Sequence, residues 1–179
     1  MPDMIQFNAQ KLAAVAVAKS CDETRYYLNG VFISGDTAVA TDGHMLTKAN
    51  DSEAVNPEGD HIFPVSKKAI TAMKSNKAVK VKFENDTLSV LNKIGEVLYM
   101  EQSKELDATF PDYKRVIPEL DFDSCKGSFA PDLLARLAAT AKILITAPIT
   151  LSGEDSKSPH KVQYNGQDEV FSVVMPMRK

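Results

Sequence analysis

The chain has 179 residues, is 44% hydrophobic and carries a formal net charge of -3. That length and apolar content suit a globular fold of one domain or slightly more, and the longest apolar run, Leu12 to Ala18, is far short of the ~20 residues that span a bilayer. No charged-then-apolar leader is read at the start, and Cys21 and Cys125 lack any metal-ligand spacing and read as reduced thiols, so the expectation is a cytoplasmic protein with no membrane contact and no redox chemistry.

In chain order, a short apolar segment at Met4 to Phe7 leads through Asn8, a plausible N-cap, into a helix over Ala9 to Lys19. Strands are predicted at Tyr26 to Ile33, Thr37 to Ala40 and Met45 to Lys48, the last two separated by the hairpin signal Asp42-Gly43. A second cycle begins with Ile62 to Val65, passes Ser66 as N-cap into a helix to about Asn76, and continues with the alternating strand around Val79, Val81 and Phe83. Asn85-Asp86 turns into Leu88 and Val90, and Gly95 into Val97 to Met100. A third cycle runs from Gly127 to Phe129 into a helix over Pro131 to about Lys142, with strands expected at Ile143 to Thr146, Thr150 to Ser152 and Val170 to Met177, and a polar loop at Gly153 to Pro159.

The chain is therefore read as an α+β protein made of a strand-helix-three-strand unit repeated three times, roughly 4–50, 51–118 and 119–179. One such unit cannot cover its own sheet, two make a compact domain, and the third is left unpaired. An unpaired sheet edge is a liability that another copy of the chain can cover, so oligomerisation is expected.

Charge is segregated along this pattern. Lys11 and Lys19 lie on the first helix, Lys67, Lys68, Lys74 and Lys77 on or just past the second, and Arg136 and Lys142 against Asp132 on the third, a net +7 in a chain whose total is -3. Lysine on one exposed helix is ordinary solvation. On three helices of an acidic protein it suggests a face for loose, sequence-independent contact with phosphates.

Four segments then carry a resemblance: Arg25-Tyr26-Tyr27-Leu28-Asn29-Gly30, Val39-Ala40-Thr41-Asp42-Gly43-His44-Met45-Leu46, Phe110-Pro111-Asp112-Tyr113-Lys114-Arg115-Val116-Ile117-Pro118, and Val173-Val174-Met175-Pro176-Met177-Arg178. In this order they resemble the bacterial sliding clamp family, the beta subunit of DNA polymerase III, in a shortened form. The resemblance implies the DNA-clamp fold, with sheets outside and helices on the DNA-facing side. Residues 1–118 match one complete clamp-like domain of two units, and residues 119–179 half of another.

It further implies a processivity factor that encircles duplex DNA as a homo-oligomer. Its other partners would be a DNA polymerase and further proteins with clamp-binding peptides, and a clamp loader. By motif match the peptide cleft is lined by Leu28, Thr41, Gly43, His44, Met45, Leu46, Pro111, Arg115, Val116, Val173, Val174, Met175, Pro176, Met177 and Arg178. Arg25 joins Lys11, Lys19, Lys67, Lys68, Lys74, Lys77, Arg136 and Lys142 as the DNA-facing set. Met45 stands where the family commonly has arginine, and Ala130 and Leu133 replace larger or more polar groups beside the cleft, so peptide preference is expected to differ.

His44, His61 and His160 fall in no metal or acid-base spacing, and there is neither a phosphate-binding glycine loop nor a Gly-x-Ser-x-Gly elbow. No enzyme activity, cofactor or metal is expected. Two readings stay open: a ring of copies joined head to tail, with four chains of three units giving twelve helices, and a non-ring module that binds clamp-binding peptides or a full-length clamp and modulates replication.

Overall fold

The computed structural model describes residues 4–55, 58–118, 125, 127–146 and 148–177. Its strands and helices follow the repeated order: β1 (Ile5–Asn8), α1 (Ala9–Ala16), β2 (Gly30–Ser34), β3 (Thr37–Thr41) and β4 (Met45–Asn50); β5 (Asp60–Pro64), α2 (Lys67–Met73), β6 (Ala78–Glu84), β7 (Thr87–Asn92) and β8 (Val97–Gln102); then α3 (Pro131–Ile143), β9 (Ile149–Ser152), β10 (His160–Tyr164) and β11 (Val170–Val174).

Side-chain chemistry marks the element ends. The Asn8 Oδ1 accepts from the backbone N–H groups of Gln10 and Lys11 at the start of α1, and the Ser66 Oγ accepts from that of Ala69 at the start of α2. Pro131 occupies the first turn of α3, where a missing N–H costs nothing. Asn85 and Asp86 both take positive φ in the two-residue turn between β6 and β7, as a hairpin with right-handed strand twist requires.

Three sequence expectations are corrected. Tyr26, Tyr27 and Leu28 belong to a kinked 3₁₀ segment, Glu23–Leu28, so the strand begins only at Gly30. Residues 143–146 form no strand: α3 runs on through Ile143, because Ile143 and Leu144 are buried in the main core. The third unit's middle strand is instead β10, and residues 127–129, expected as a leading strand, join no sheet.

Two antiparallel sheets result. One has the order β1-β6-β7-β8 and the other β5-β2-β3-β4-β11-β10-β9. The first two units exchange their leading strands: β1 pairs with β6 of the second unit, and β5 with β2 of the first. The third unit joins differently, β11 lying antiparallel to β4 with Val173 opposite Leu46. The seven-stranded sheet therefore continues across the expected boundary at residues 118 and 119, whose following residues 119–124 lie outside the described ones.

All three helices pack on one side of the sheets. Leu12 and Val15 of α1, Met73 of α2 and Leu137 of α3 share one core with the inward side chains of both sheets. α1 lies between the other two helices, and its alanines Ala13, Ala14 and Ala16 allow that close approach while being buried themselves. On the opposite face of the seven-stranded sheet a smaller cluster, Leu28, Phe32, Val39, Leu46, Ile62, Phe110 and Val173, is covered by Leu106, Ala108, Tyr113 and Ile117. Phe32 and Phe110 stack at 4.8 Å within it. The covering segment also closes the free edge of β5, with the Leu106 N–H donating to the Ile62 carbonyl at 2.8 Å. Among the described residues, no helix is long and apolar enough to cross a membrane.

Candidate functional site

The turn from β3 to β4 is braced by its own side chains. The Asp42 Oδ1 accepts from the N–H groups of His44 and Met45, each at 2.9 Å. The Thr41 hydroxyl donates to the Met45 carbonyl and accepts from the Gly43 N–H. Gly43 has φ of +92°, a backbone conformation that favours glycine, and a Cβ there would meet only the movable end of the Arg25 side chain, at 3.2 Å.

This turn forms the floor of two adjoining grooves. The first, about 260 Å³, is lined by Leu28, Thr41, Gly43, His44, Met45 and Leu46, by Pro111, Asp112, Tyr113 and Val116 from the segment after β8, and by Val173 and Met175 from the third unit. The second, about 590 Å³, is lined by Asp42, Gly43, His44, Ala130, Asp132, Leu133, Arg136, Met175, Pro176 and Met177. Gly43, His44 and Met175 border both. The ledge between them is fixed by the Met175 N–H donating to the His44 carbonyl at 3.0 Å, and the Met177 N–H continues the attachment by donating to the Ser128 carbonyl at 2.7 Å.

One ion pair sets the second groove's wall. Arg136 on α3 donates to the Asp42 carboxylate at 2.5 Å and to the Val17 carbonyl at 3.0 and 3.2 Å, clasping the third unit to the first. Burial pushes the Asp42 carboxyl up, but the N–H groups of Met45 and His44 and the Arg136 guanidinium outweigh it and hold Asp42 below its ordinary value. The Asp42 charge is thereby fixed under the groove at neutral pH.

Of the expected cleft residues, Leu28, Thr41, Gly43, His44, Met45, Leu46, Pro111, Val116, Val173, Met175, Pro176 and Met177 line one groove or the other. Val174 does not: it is fully buried on the helix side, since strand neighbours point to opposite faces. Arg115 lines neither groove and is a highly exposed side chain paired with Asp112 at 2.9 Å. Arg178 lies outside the described residues. Asp112 and Tyr113 are not among the expected cleft residues, although they fall within the matched segment; Tyr113 opens a 3₁₀ turn, Tyr113–Val116, that Asp112 caps, and both line the first groove.

The expected DNA-facing residues divide. Lys67, Lys68, Lys74 and Lys77 on and after α2 are exposed, as is Lys142 at the end of α3, and Lys19 is half-buried. Lys11 is held by Glu169 at 2.6 Å and Asp51 at 3.6 Å. Arg25 pairs with Asp22 at 3.2 Å beside the groove turn. Arg136, expected to face phosphates, is instead the clasp just described.

No protein-family model matches the chain. Curated beta sliding clamps do: that of Caulobacter vibrioides is 35% identical over 141 residues, covering 68% of this chain and 37% of that one, and that of Rickettsia bellii is 31% identical over 158 residues, covering 82% and 41%. The chain thus spans about two fifths of the length of these relatives. Among solved structures, a sliding clamp (DNA polymerase III subunit beta) from Bartonella birtlesii bound to griselimycin superposes with a TM-score of 0.71 at 22% identity, covering 99% of this chain and 66% of that one. The DNA polymerase III beta subunit of Thermotoga maritima gives 0.66 at 18% identity, covering 99% and 66%. The fold is that of the DNA clamps.

Proposed function

We propose that this chain, a shortened relative of the bacterial beta sliding clamps, is a sliding-clamp-like replication protein of the cytoplasm. In this reading residues 1–118 act as one complete clamp-like domain and 119–179 as half of another. The chain docks a polymerase or accessory protein through the paired grooves and, as an oligomer, holds duplex DNA against its helices. Opening of such an assembly on DNA falls to a clamp loader.

The observation that carries this is the junction of β4 and β11. It brings Met45 and Leu46 together with Val173 and Met175, far apart in sequence, into an open apolar groove on a braced floor. Aliphatic and thioether walls with few polar anchors suit a short extended peptide with apolar side chains, bound moderately and exchangeably. The helix face supports the second half of the reading through Lys67, Lys68, Lys74 and Lys77 on and after α2, whose contact with phosphates would be loose and salt-sensitive.

A second reading, a module that binds peptides without encircling DNA, is favoured by Lys11 and Arg136. Both lie on helices expected to face DNA, and both are held in internal ion pairs. Retention on DNA separates the two. The ring reading requires protein loaded on circular duplex to resist a salt wash and to slide off once the circle is cut. Replacing Lys67, Lys68, Lys74 and Lys77 with Glu should abolish that retention while a fluorescent apolar peptide still binds. Met175→Glu, at the border of both grooves, should weaken that peptide at least tenfold and leave retention unchanged. Salt-labile binding to circular and linear DNA alike would overturn the ring and leave the peptide module.

A further inference from the structure

Arg136 ties the helix of the third unit to the turn beneath both grooves. Its Nη1 donates to the Asp42 Oδ2, and its Nε and Nη2 donate to the Val17 carbonyl at 3.2 and 3.0 Å. Val17 is the C-cap residue of α1, where helix carbonyls lack an intrahelical partner. One planar guanidinium therefore joins the end of α1, the body of α3 and the β3–β4 turn.

The Asp42 carboxylate divides its two oxygens. Oδ1 accepts from the His44 and Met45 N–H groups, which shapes the turn, and Oδ2 accepts from Arg136, which anchors the carboxylate. Beyond the turn, the His44 carbonyl accepts the Met175 N–H at 3.0 Å and so places the ledge between the grooves.

Neither Arg136 nor Asp42 lines the first groove, whereas His44, Met45 and Met175 do. An apolar side chain docked there touches neither partner of the ion pair, yet it rests on residues that Asp42 holds. The pair is also shielded: its side chains are 27% and 19% exposed, against 82% and 54% for Arg115 and Asp112. An exposed pair of the latter kind is screened by salt and contributes little.

We propose that Arg136 is a positioning residue for the docking of apolar peptides: through Asp42 it holds the 42–45 turn in the shape that the first groove requires. This rests on the peptide-docking reading above and extends it, making the affinity of the first groove depend on how the third unit sits against α1. Arg136 also lines the second groove, so the first groove is where action through the turn can be separated from direct contact.

The titratable and charged groups around Asp42 are Arg136 and Asp132 of α3, His44 of the turn itself, and Arg25 with its partner Asp22 from the 3₁₀ segment. Arg136 is the charged side chain that acts on the Asp42 carboxylate. With Arg136 removed, burial still pushes that carboxyl up and the two N–H groups alone oppose it, so it titrates at higher pH than in the wild type.

Titration with acetyl-Leu-Phe amide, followed by the methyl NMR signals of Leu46 and Val116 in the first groove, tests the proposal. This probe is too short to span both grooves and has no titratable group. Arg136→Met and Asp42→Asn should each weaken it about fivefold or more near neutral pH, the lower end for coupling between sites. The amide of Asp42→Asn keeps an acceptor for the turn and meets Arg136 with a donor, so this variant carries the test if Arg136→Met fails to fold by circular dichroism. The double variant should lose no more than either single one, because both act through one pair, and Arg136→Lys should recover part of the loss. As the pH is lowered, the ratio of wild-type to Arg136→Met affinity should rise, because the variant's Asp42 is protonated first; titration of His44 is common to both and cancels. Losses that add, single variants that bind as the wild type does, or a ratio that is flat with pH overturn the proposal.

A wild type that binds no probe would overturn the docking reading instead, and amide exchange then decides the positioning role. The His44 and Met45 amides should exchange about fivefold faster or more in Arg136→Met or Asp42→Asn, with those of α2 unchanged. Unchanged exchange at His44 and Met45 overturns it.

Discussion

The first and second units share one order of elements and have opposite surroundings. In the first, α1 lies between two other helices, Leu12 to Ala16 are buried, and β4 is covered by β11. In the second, α2 has only Ala69 and Met73 fully buried, its lysines are exposed, and β8 has no strand on its outer side among the described residues. The same local pattern thus yields a core helix in one place and a surface helix in the other. Position in the row of units decides which, and charge counted along the sequence cannot see it. Substitutions that act on one unit and spare the other measure how far this difference reaches.

The largest effect is expected from filling the space around α1. Ala14 is fully buried on the helix that carries packing from both sheets and both other helices. Ala14→Leu forces extra methylene groups into a closed layer and should cost about 3 kcal/mol in urea unfolding, at the upper end for overpacked cores. Thr71→Leu, at an exposed position of α2, should change stability by less than about 0.5 kcal/mol. Equal losses at the two positions would show that α1 is no more enclosed than α2.

A smaller loss is expected at the clasp between the first and third units. Arg136→Ala removes the donors to the Val17 carbonyl and the partner of the Asp42 carboxylate, leaving the latter with only its two backbone N–H groups. The expected cost is about 2 kcal/mol, in the range for hydrogen bonds to charged groups in partly buried sites. Because the folded state holds the Asp42 carboxyl below its ordinary value, this contribution is complete above the unfolded value of 3.8 and is lost as pH falls through the lowered folded value. The gap between wild type and Arg136→Ala should therefore be constant near neutrality and narrow in acid to the part that comes from the Val17 carbonyl, which does not titrate. A gap that widens in acid would mean that another group supplies the effect. The same variant should loosen the second groove, whose wall includes Arg136, more than the first.

How much of this was legible in the sequence depends on what each residue answers to. Caps and turns are local, and Asn8, Ser66, Pro131 and Asn85-Asp86 act where their types predict. The strand β10 was hidden because its buried positions are His160, Val162 and Tyr164, two of them polar residue types. Tyr164 is accommodated by the Ser172 hydroxyl at 2.8 Å, and Ser172 in turn meets Thr47 at 2.7 Å across the β4–β11 junction. Alternation was present, but only the tertiary partners made those side chains core residues. The Ile143 to Thr146 run reads as a strand by composition, while burial of Ile143 and Leu144 favours one more turn of helix. Most groove residues were legible because the matched segments carry them. Arg136 was assigned to a surface because its partners Asp42 and Val17 lie more than ninety positions away.

The smallest expected effect probes the open unit at the start of α2. The Ser66 hydroxyl accepts from the Ala69 N–H at 3.0 Å and donates to the Glu101 carboxylate of β8 at 2.5 Å, tying the helix start to the edge strand. Ser66→Ala should cost about 1 kcal/mol, the usual loss for an N-cap. In hydrogen exchange, that loss should appear as faster exchange in α2 and β8, with α1 and β4 unchanged. Thermal unfolding alone would not show this locality, because a two-state transition reports the whole chain. Equal acceleration in all four elements would show that the Ser66 cap acts on the whole chain and that the second unit does not open separately from the first.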